Sequence, residues 1–329
     1  MRILLTGGAG YIGSHMLRFL NNLNFDVEII DDLSTGNLWA ANGFKLHEFN
    51  LNEKEKLNNI FETNEYDSVI HFAAKSLVAE SNSVPIDYYD NNISGTINLL
   101  DCMLKHNVNK LIFSSSAAVF GNPVAEKIDE FHSMNPINTY GLSKLICEQI
   151  IEDVCNKSSL KAISLRYFNA AGALKTGEIG EAHLQETHLI PNILKSVIHT
   201  DFNLNIFGDN FDTHDGTCVR DYVHVEDLAN AHFLALKYLE EIKSYDAFNL
   251  GNGRGFSIYE IIKSCEKITN KKIPFSIKNK RQGDPPLLVA DNTKANRILN
   301  WEPSYKTIDS IIRTAWQWHL NFEKIHNER

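Results

Sequence analysis

The sequence predicts an α/β protein: a doubly wound parallel sheet of the Rossmann type with a smaller α/β lobe on its C-terminal side. Three observations carry that prediction. The chain opens with an apolar run that leads straight into a glycine-rich loop and a helical pattern. Strand-like and helix-like segments then alternate as far as residue 168, which calls for right-handed crossovers between parallel strands. From Asn169 onward the alternation weakens into loops around 172–187 and 208–219, where substrate recognition is expected.

Met1–Thr6 is a short apolar run that reads as a buried strand, followed by Gly7-Gly-Ala-Gly10-Tyr11-Ile12-Gly13 and an apolar helical pattern. In strand–loop–helix context Gly7 serves the tight turn, Gly10 lets backbone approach a pyrophosphate, and Gly13 lets the helix pack closely, while the helix N-terminus favours the anion. The spacing is the three-residue variant of this fingerprint. A second strand, Val27–Ile30, ends in Asp31-Asp32 about 20 residues beyond the loop, where a carboxylate accepts from the adenosine ribose hydroxyls and repels a 2′-phosphate. NAD rather than NADP is therefore expected.

The next strands are expected at Lys45–Phe49, Ser68–Phe72, Lys110–Ser114 and Lys161–Arg166, with helices at Glu53–Glu62, Asp87–Lys105 and Thr139–Val154. Ligands of such a sheet lie beyond the strand C-termini, and Asn91, Ser116, Tyr140 and Phe168 fall after or beside those ends. Tyr140-Gly-Leu-Ser-Lys144 offers a phenol and a cation four residues apart, which share one helix face. Read with Ser116, the trio suits proton removal from an alcohol. A free phenol titrates near pH ~10, and a neighbouring positive charge favours the phenolate. Lys144 is expected to supply that charge.

Composition sets bounds. A chain of 329 residues with 43% hydrophobic residues can build a large core. No run reaches the roughly 18 apolar residues of a membrane span, and the N-terminus reads as a structural strand rather than a signal segment. A soluble, cytoplasmic protein is expected. The five cysteines form no C-x-x-C pair and read as reduced core thiols. A formal charge of −9 argues against nucleic acid as the main ligand. Without an H-E-x-x-H, and with Asp212-Thr-His214-Asp215 read as a polar loop, no metal site is expected.

Leu4-Thr-Gly-Gly-Ala-Gly-Tyr-Ile-Gly-Ser14, Asp87-Tyr-Tyr-Asp-Asn-Asn92, Phe113-Ser-Ser-Ser-Ala117, Tyr140-Gly-Leu-Ser-Lys144, Leu165-Arg-Tyr-Phe-Asn169, Asp215–Val225 and Arg281-Gln-Gly-Asp284 together resemble the extended short-chain dehydrogenases/reductases. Within that family the chain is most similar to the UDP-glucose 4-epimerase branch, and the last two blocks are the more specific signals.

The resemblance implies that Tyr140, as phenolate, takes the proton of the sugar 4-hydroxyl while hydride passes from C4 to tightly bound NAD. The keto sugar turns and receives the same hydride on its other face. It also implies that Ser116 bonds the reacting oxygen, and that Lys144 holds the nicotinamide ribose and keeps the phenol acidic.

Cofactor contacts are then expected from Gly7, Gly10, Tyr11, Ile12, Gly13, Asp31, Asp32, Ser34, Asn50, Leu51, Phe72, Ala73, Ala74, Ser76, Asn91, Ser114, Tyr140, Lys144 and Phe168. Substrate contacts are expected from Ser116, Tyr140, Asn169, His188, Leu189, Phe207, Arg220, Arg281, Asp284 and Leu288. Arg220 and Arg281 suit a diphosphate through bidentate guanidinium contacts, Phe207 suits stacking on uracil, and Asp284 suits a ribose hydroxyl. The implied division is a NAD-binding domain over 1–168 and a UDP-sugar lobe over 169–329, with segments near 218–240 returning to the first.

Some positions depart from the family pattern. Asn50-Leu51 stands where an Asp-Ile or Asp-Val pair is common. Ser76, preceded by Lys75, stands where some members carry lysine, and either residue can face the cofactor. Ala118 replaces a frequent threonine. Leu288 stands where a bulky aromatic excludes N-acetyl groups and a small residue admits them, which leaves strict and dual specificity open, strict UDP-glucose/UDP-galactose use being favoured.

A sugar-nucleotide dehydratase would need an Asp-Glu pair in place of Ala117-Ala118, and a UDP-glucuronate enzyme would want a cation for the sugar carboxylate. A non-catalytic dinucleotide sensor would tolerate loss of Ser116, Tyr140 or Lys144, all of which are present. A homodimer is expected through the helices bearing Ile93, Ile97, Leu100, Leu104, Leu142, Leu145 and Ile150, which similar proteins pair into a four-helix bundle.

Overall fold

The computed structural model describes residues 1–199, 201–281 and 284–327; Gln282 and Gly283 of the Arg281–Asp284 block, and the last two residues of the expected lobe, lie outside it. The leading strands are β1 (Arg2–Thr6), β2 (Asp26–Asp31), β3 (Lys45–Glu48), β4 (Ser68–His71), β5 (Lys110–Ser116) and β6 (Lys161–Tyr167). The helices among them are α1 (Tyr11–Asn22), α2 (Lys54–Thr63), α3 (Val78–Ser83), α4 (Pro85–Tyr89), α5 (Gly95–Lys105) and α6 (Thr139–Lys157). Every strand expected from the sequence forms, with ends shifted by one or two residues.

Beyond them come β7 (Asn169–Ala171), α7 (Leu189–Ile198), β8 (Leu204–Phe207), β9 (Val219–His224), α8 (Val225–Tyr238), β10 (Tyr245–Leu250), β11 (Gly255–Ser257), α9 (Ile258–Thr269), β12 (Phe275–Lys278), β13 (Leu287–Leu288), α10 (Thr293–Leu299) and α11 (Ile308–Asn327). Seven strands form one sheet in the order β10-β6-β5-β4-β1-β2-β3, and every pairing within it is parallel. The order reverses at β1, so a crevice opens beyond the C-terminal ends of β1 and β4.

Burial on both faces explains the near-continuous apolar strands. On one side Met16, Leu17 and Leu20 of α1 share a core with Leu228, Ala231 and Ala235 of α8; on the other, Leu99 and Met103 of α5 pack with Cys147 and Ile151 of α6. A second core gathers Ile193 and Leu194 of α7, Ile261 of α9 and Ile311 of α11 around β9. All five cysteines are buried and unpaired. Among the described residues no helix is long and apolar enough to cross a membrane.

The helix expected over Asp87–Lys105 is interrupted. Asp90–Ser94 winds as a π-helical turn between α4 and α5. There the buried Asn92 side chain accepts from Lys75 N at 2.8 Å and donates to Ser143 Oγ at 2.9 Å. Periodicity does not reveal such a turn, because one extra residue barely disturbs an apolar stripe.

Candidate active site

The crevice is a cleft of about 390 Å³ running from the glycine loop and the end of β2, past β4 and β5, to β6 and the start of β7. At one end Gly10 leads into α1, with no side-chain cap and no acidic residue in the first turn of the helix, so its free N–H groups are available to an anion. The turn is tight because a Cβ on Gly13 would lie 2.2 Å from Gly7 O.

Asp31 closes β2. Its carboxylate accepts from Ala9 N and Leu33 N, each at 2.9 Å, and burial raises its pKa against those two donors. Asp32 is also desolvated, yet bonds from Ser34 and Asn50 outweigh burial and hold it below the ordinary range. Asn50 donates to Asp32 Oδ2 at 2.7 Å and accepts from Asn52 N at 2.9 Å, which leaves its carbonyl one lone pair for an incoming donor. An uncapped helix N-terminus beside a buried carboxylate at the end of the second strand fits a dinucleotide pyrophosphate and its ribose.

The three serines ending β5 divide by strand alternation. Ser115 turns away from the cleft and donates to buried Glu148. Ser114 and Ser116 line the cleft; Ser114 Oγ meets Tyr167 OH, and Ser116 is hydrogen-bonded to the Tyr140 phenol.

Tyr140 lies in the first turn of α6, where Asn138 caps Gly141 N at 2.8 Å and Ser81 Oγ accepts from Tyr140 N at 3.1 Å. Gly141 permits this approach, since a Cβ there would stand 2.4 Å from Ala118 O. Lys144 follows one turn on and donates to Ser114 O at 2.8 Å. A further turn along, Glu148 binds Arg166 of β6 through both oxygens, with Nε at 3.0 Å from each and Nη2 at 2.6 Å from Oε2. That buried, bidentate pair fixes the rotation of α6 against the sheet.

Burial pushes the Tyr140 phenol up, and the Ser116 bond only partly opposes it. Burial also pulls Lys144 itself down to about 8. The ammonium donates to Ser114 O and lies 4.8 Å from the Phe113 ring centre.

Every residue expected at the cofactor lines this one cleft, and Lys75 and Ser76 both do. Of the substrate set, Ser116, Tyr140, Asn169, His188, Arg220, Asp284 and Leu288 line it. Leu189, Phe207 and Arg281 do not. The Arg281 guanidinium instead lies 4.0 Å from the Phe207 ring centre, and Arg220 pairs with Asp284, because each cation takes the nearest π face or carboxylate within the chain. Sequence reasoning passed over Glu181 and His183, which also line the cleft. The repeated Glu-x-His of Glu181-Ala-His183 and Glu186-Thr-His188 was the available signal.

The model of the NAD dependent epimerase/dehydratase family matches residues 3–251. The chain belongs to that family. Among epimerases of known sequence, it is 46% identical to the UDP-glucose 4-epimerase of Lactobacillus helveticus, over 100% of both chains. Among solved structures it resembles the UDP-glucose 4-epimerase from Brucella ovis in complex with NAD, with TM-score 0.92 and 42% identity over 96% of this chain and 97% of that one. The Bifidobacterium longum enzyme in complex with NAD+ and UDP superposes with TM-score 0.92 at 37% identity, covering 98% of each. As an epimerase/dehydratase of this family, the chain holds a parallel dinucleotide-binding sheet and uses NAD.

Proposed function

We infer that this chain is an NAD-dependent UDP-glucose 4-epimerase, which interconverts UDP-glucose and UDP-galactose by inverting C4 of the hexose. The observation that carries this reading is the convergence of Ser116, Tyr140 and Lys144 in the cleft that begins at the uncapped N-terminus of α1 and Asp31. Residues 1–168 hold the cofactor and 169–329 read the sugar nucleotide, with the stretch near 218–240 packing back on the first part.

Bound NAD supplies an acceptor that takes and returns the C4 hydride, so configuration inverts without net redox change. Tyr140 accepts the 4-hydroxyl proton and gives it back, Ser116 holds that oxygen and the phenol in one hydrogen-bonded line, and Lys144 anchors the cofactor from beneath. Asp31 selects an unphosphorylated ribose. Arg220 faces the diphosphate in exchange for Asp284, and Asn169 and His188 border the sugar nucleotide. Leu288, half-buried beside Ala117, Val119 and Phe168, bounds the hexose on the side where an N-acetyl group would project. Binding energy concentrated on UDP leaves the sugar free to turn.

We also propose a homodimer. Of the seven apolar residues expected at its face, Leu100 and Leu145 are buried in this chain's own core, and Ile93 and Ile150 pack against it. Ile97, Leu104 and Leu142 stay exposed and give the face its apolar surface.

The test is conversion of UDP-galactose by the purified protein without added cofactor, with UDP-N-acetylgalactosamine in parallel. Conversion of UDP-galactose alone is expected. Conversion of both would show that Leu288 leaves room for the N-acetyl group, and reaction of neither after NAD is added would overturn the assignment.

A further inference from the structure

Two Glu-x-His pairs converge in the segment that leads into α7. Glu181, His183, Glu186 and His188 each bring one ligand atom into a group whose members all lie within 4.8 Å of one another. His183 Nδ1 stands 3.3 Å from Glu181 Oε1 and 3.4 Å from Glu186 Oε2. His188 Nδ1 stands 3.2 Å from Glu186 Oε1 and 2.5 Å from Glu181 Oε1.

These ion pairs do not complete the group's hydrogen bonding. Among the described residues no contact of hydrogen-bond geometry reaches the buried Glu181 Oε1, His183 Nδ1 or Glu186 Oε2, and Glu181 is only 5% exposed. Orphaned acceptors at such depth are costly. The scaffold nevertheless holds them in place. Glu186 Oε1 accepts from Thr187 N and His188 N, both at 2.8 Å, so the carboxylate is fixed with Oε2 turned towards His183. Trp318 Nε1 donates to Glu181 O at 3.0 Å, and Asn37 Nδ2 to Ala182 O at 3.1 Å.

The geometry points to a divalent transition-metal site of the zinc class, with Glu181, His183, Glu186 and His188 as its four ligands. A tetrahedral zinc ion about 2.0–2.1 Å from each donor sets neighbouring donors about 3.3–3.4 Å apart, which the separations of His183 Nδ1 from Glu181 Oε1 and from Glu186 Oε2 match. The 2.5 Å between His188 Nδ1 and Glu181 Oε1 would open to admit the ion.

Two carboxylates and two neutral imidazoles balance one divalent charge, just as two imidazolium protons balance it otherwise, so cation and protons compete for the same cluster. The mixed nitrogen and oxygen donors suit zinc, cobalt or manganese, whereas magnesium and calcium favour oxygen alone. Four protein ligands leave no open position, which makes the site structural. Its ion would pin the 181–188 wall of the cleft beside Tyr11 and take no part in the chemistry at C4.

The full-length protein, stripped with a chelator, is titrated with Co2+ while its visible spectrum is recorded, and Zn2+ affinity is then read by competition with a chromogenic chelator. One equivalent per chain is expected, with tetrahedral cobalt bands that Zn2+ displaces and excess Mg2+ does not. The variants H183Q and E186Q should each weaken Zn2+ binding by at least about tenfold. Absence of saturable binding at one equivalent, sulfur-to-cobalt charge-transfer bands, or affinity undiminished in the variants would overturn the site. The wild-type spectrum decides even if a variant fails to fold. Because binding is the readout, failure here is separate from failure of the epimerase reading.

Discussion

Tyr140 and Lys144 sit one helical turn apart, yet burial moves them in opposite directions along the pH scale: the phenol up, the ammonium down to about 8. Tyr140→Phe removes the proton acceptor while keeping the ring, and general acid–base catalysis is worth about 10²–10⁴-fold. Turnover should fall by that factor while UDP affinity, measured by calorimetry, stays near wild type. Near-normal turnover would remove Tyr140 from the reaction. For Lys144 the folded pKa lies below its ordinary 10.5, so the ammonium is lost as pH rises through about 8. The unfolded chain binds the extra proton between those values, so this group's contribution to stability improves with rising pH. Its contribution to catalysis does the reverse, and kcat/KM should decline with an apparent pKa near 8. In Lys144→Arg, whose guanidinium stays charged, the level should drop but the decline should move to higher pH. An unmoved alkaline limb would assign it to another group.

At the scale of elements, one buried carboxylate ties the edge of the sheet together. Glu28 of β2 receives Arg2 from β1, Lys45 and His47 from β3, and Tyr66 ahead of β4, with His47 Nε2 and Tyr66 OH both at 2.7 Å. Burial works against its ionisation, but bonds from His47, Tyr66, Lys45 and Arg2 outweigh it and hold the pKa at about 2. Because that lies below the ordinary 4.5, the stabilisation is complete above about pH 4.5 and is lost as pH falls towards 2. Glu28→Gln should cost about 3 kcal/mol at neutral pH, the scale set by removing one partner of a buried ion pair. The gap from wild type in urea midpoint should narrow steadily below pH 4.5; a gap independent of pH would mean packing, not charge, is at stake.

Glu28 also shows what a linear sequence conceals. The strands, the glycine loop and the Tyr140–Lys144 pair were legible because each is written in local periodicity or spacing. Glu28, Glu148 with Arg166, and the π-helical turn at Asn92 depend on partners from distant segments, and no local pattern announces them. Arg220 and Arg281 were legible as cations, but their partners Asp284 and Phe207 follow from the fold of the second half.

On the scale of the whole molecule, the parallel sheet presents its strand ends to one cleft, and the segments after residue 168 close over it. Ile97 of α5 and Leu142 of α6 are exposed. Leu142→Glu should convert the proposed dimer to monomers in light scattering, and a wild-type protein already monomeric would end that proposal.

The central claim is that one closed site removes and restores the same hydrogen at C4 while Tyr140 handles only the hydroxyl proton. UDP-galactose carrying deuterium at C4, converted in ordinary water and followed by mass spectrometry, tests it most directly. The account predicts UDP-glucose that keeps its deuterium through repeated turnover. Loss of the label to solvent at the rate of epimerisation would contradict it, because inversion would then proceed by a proton exchanged with water.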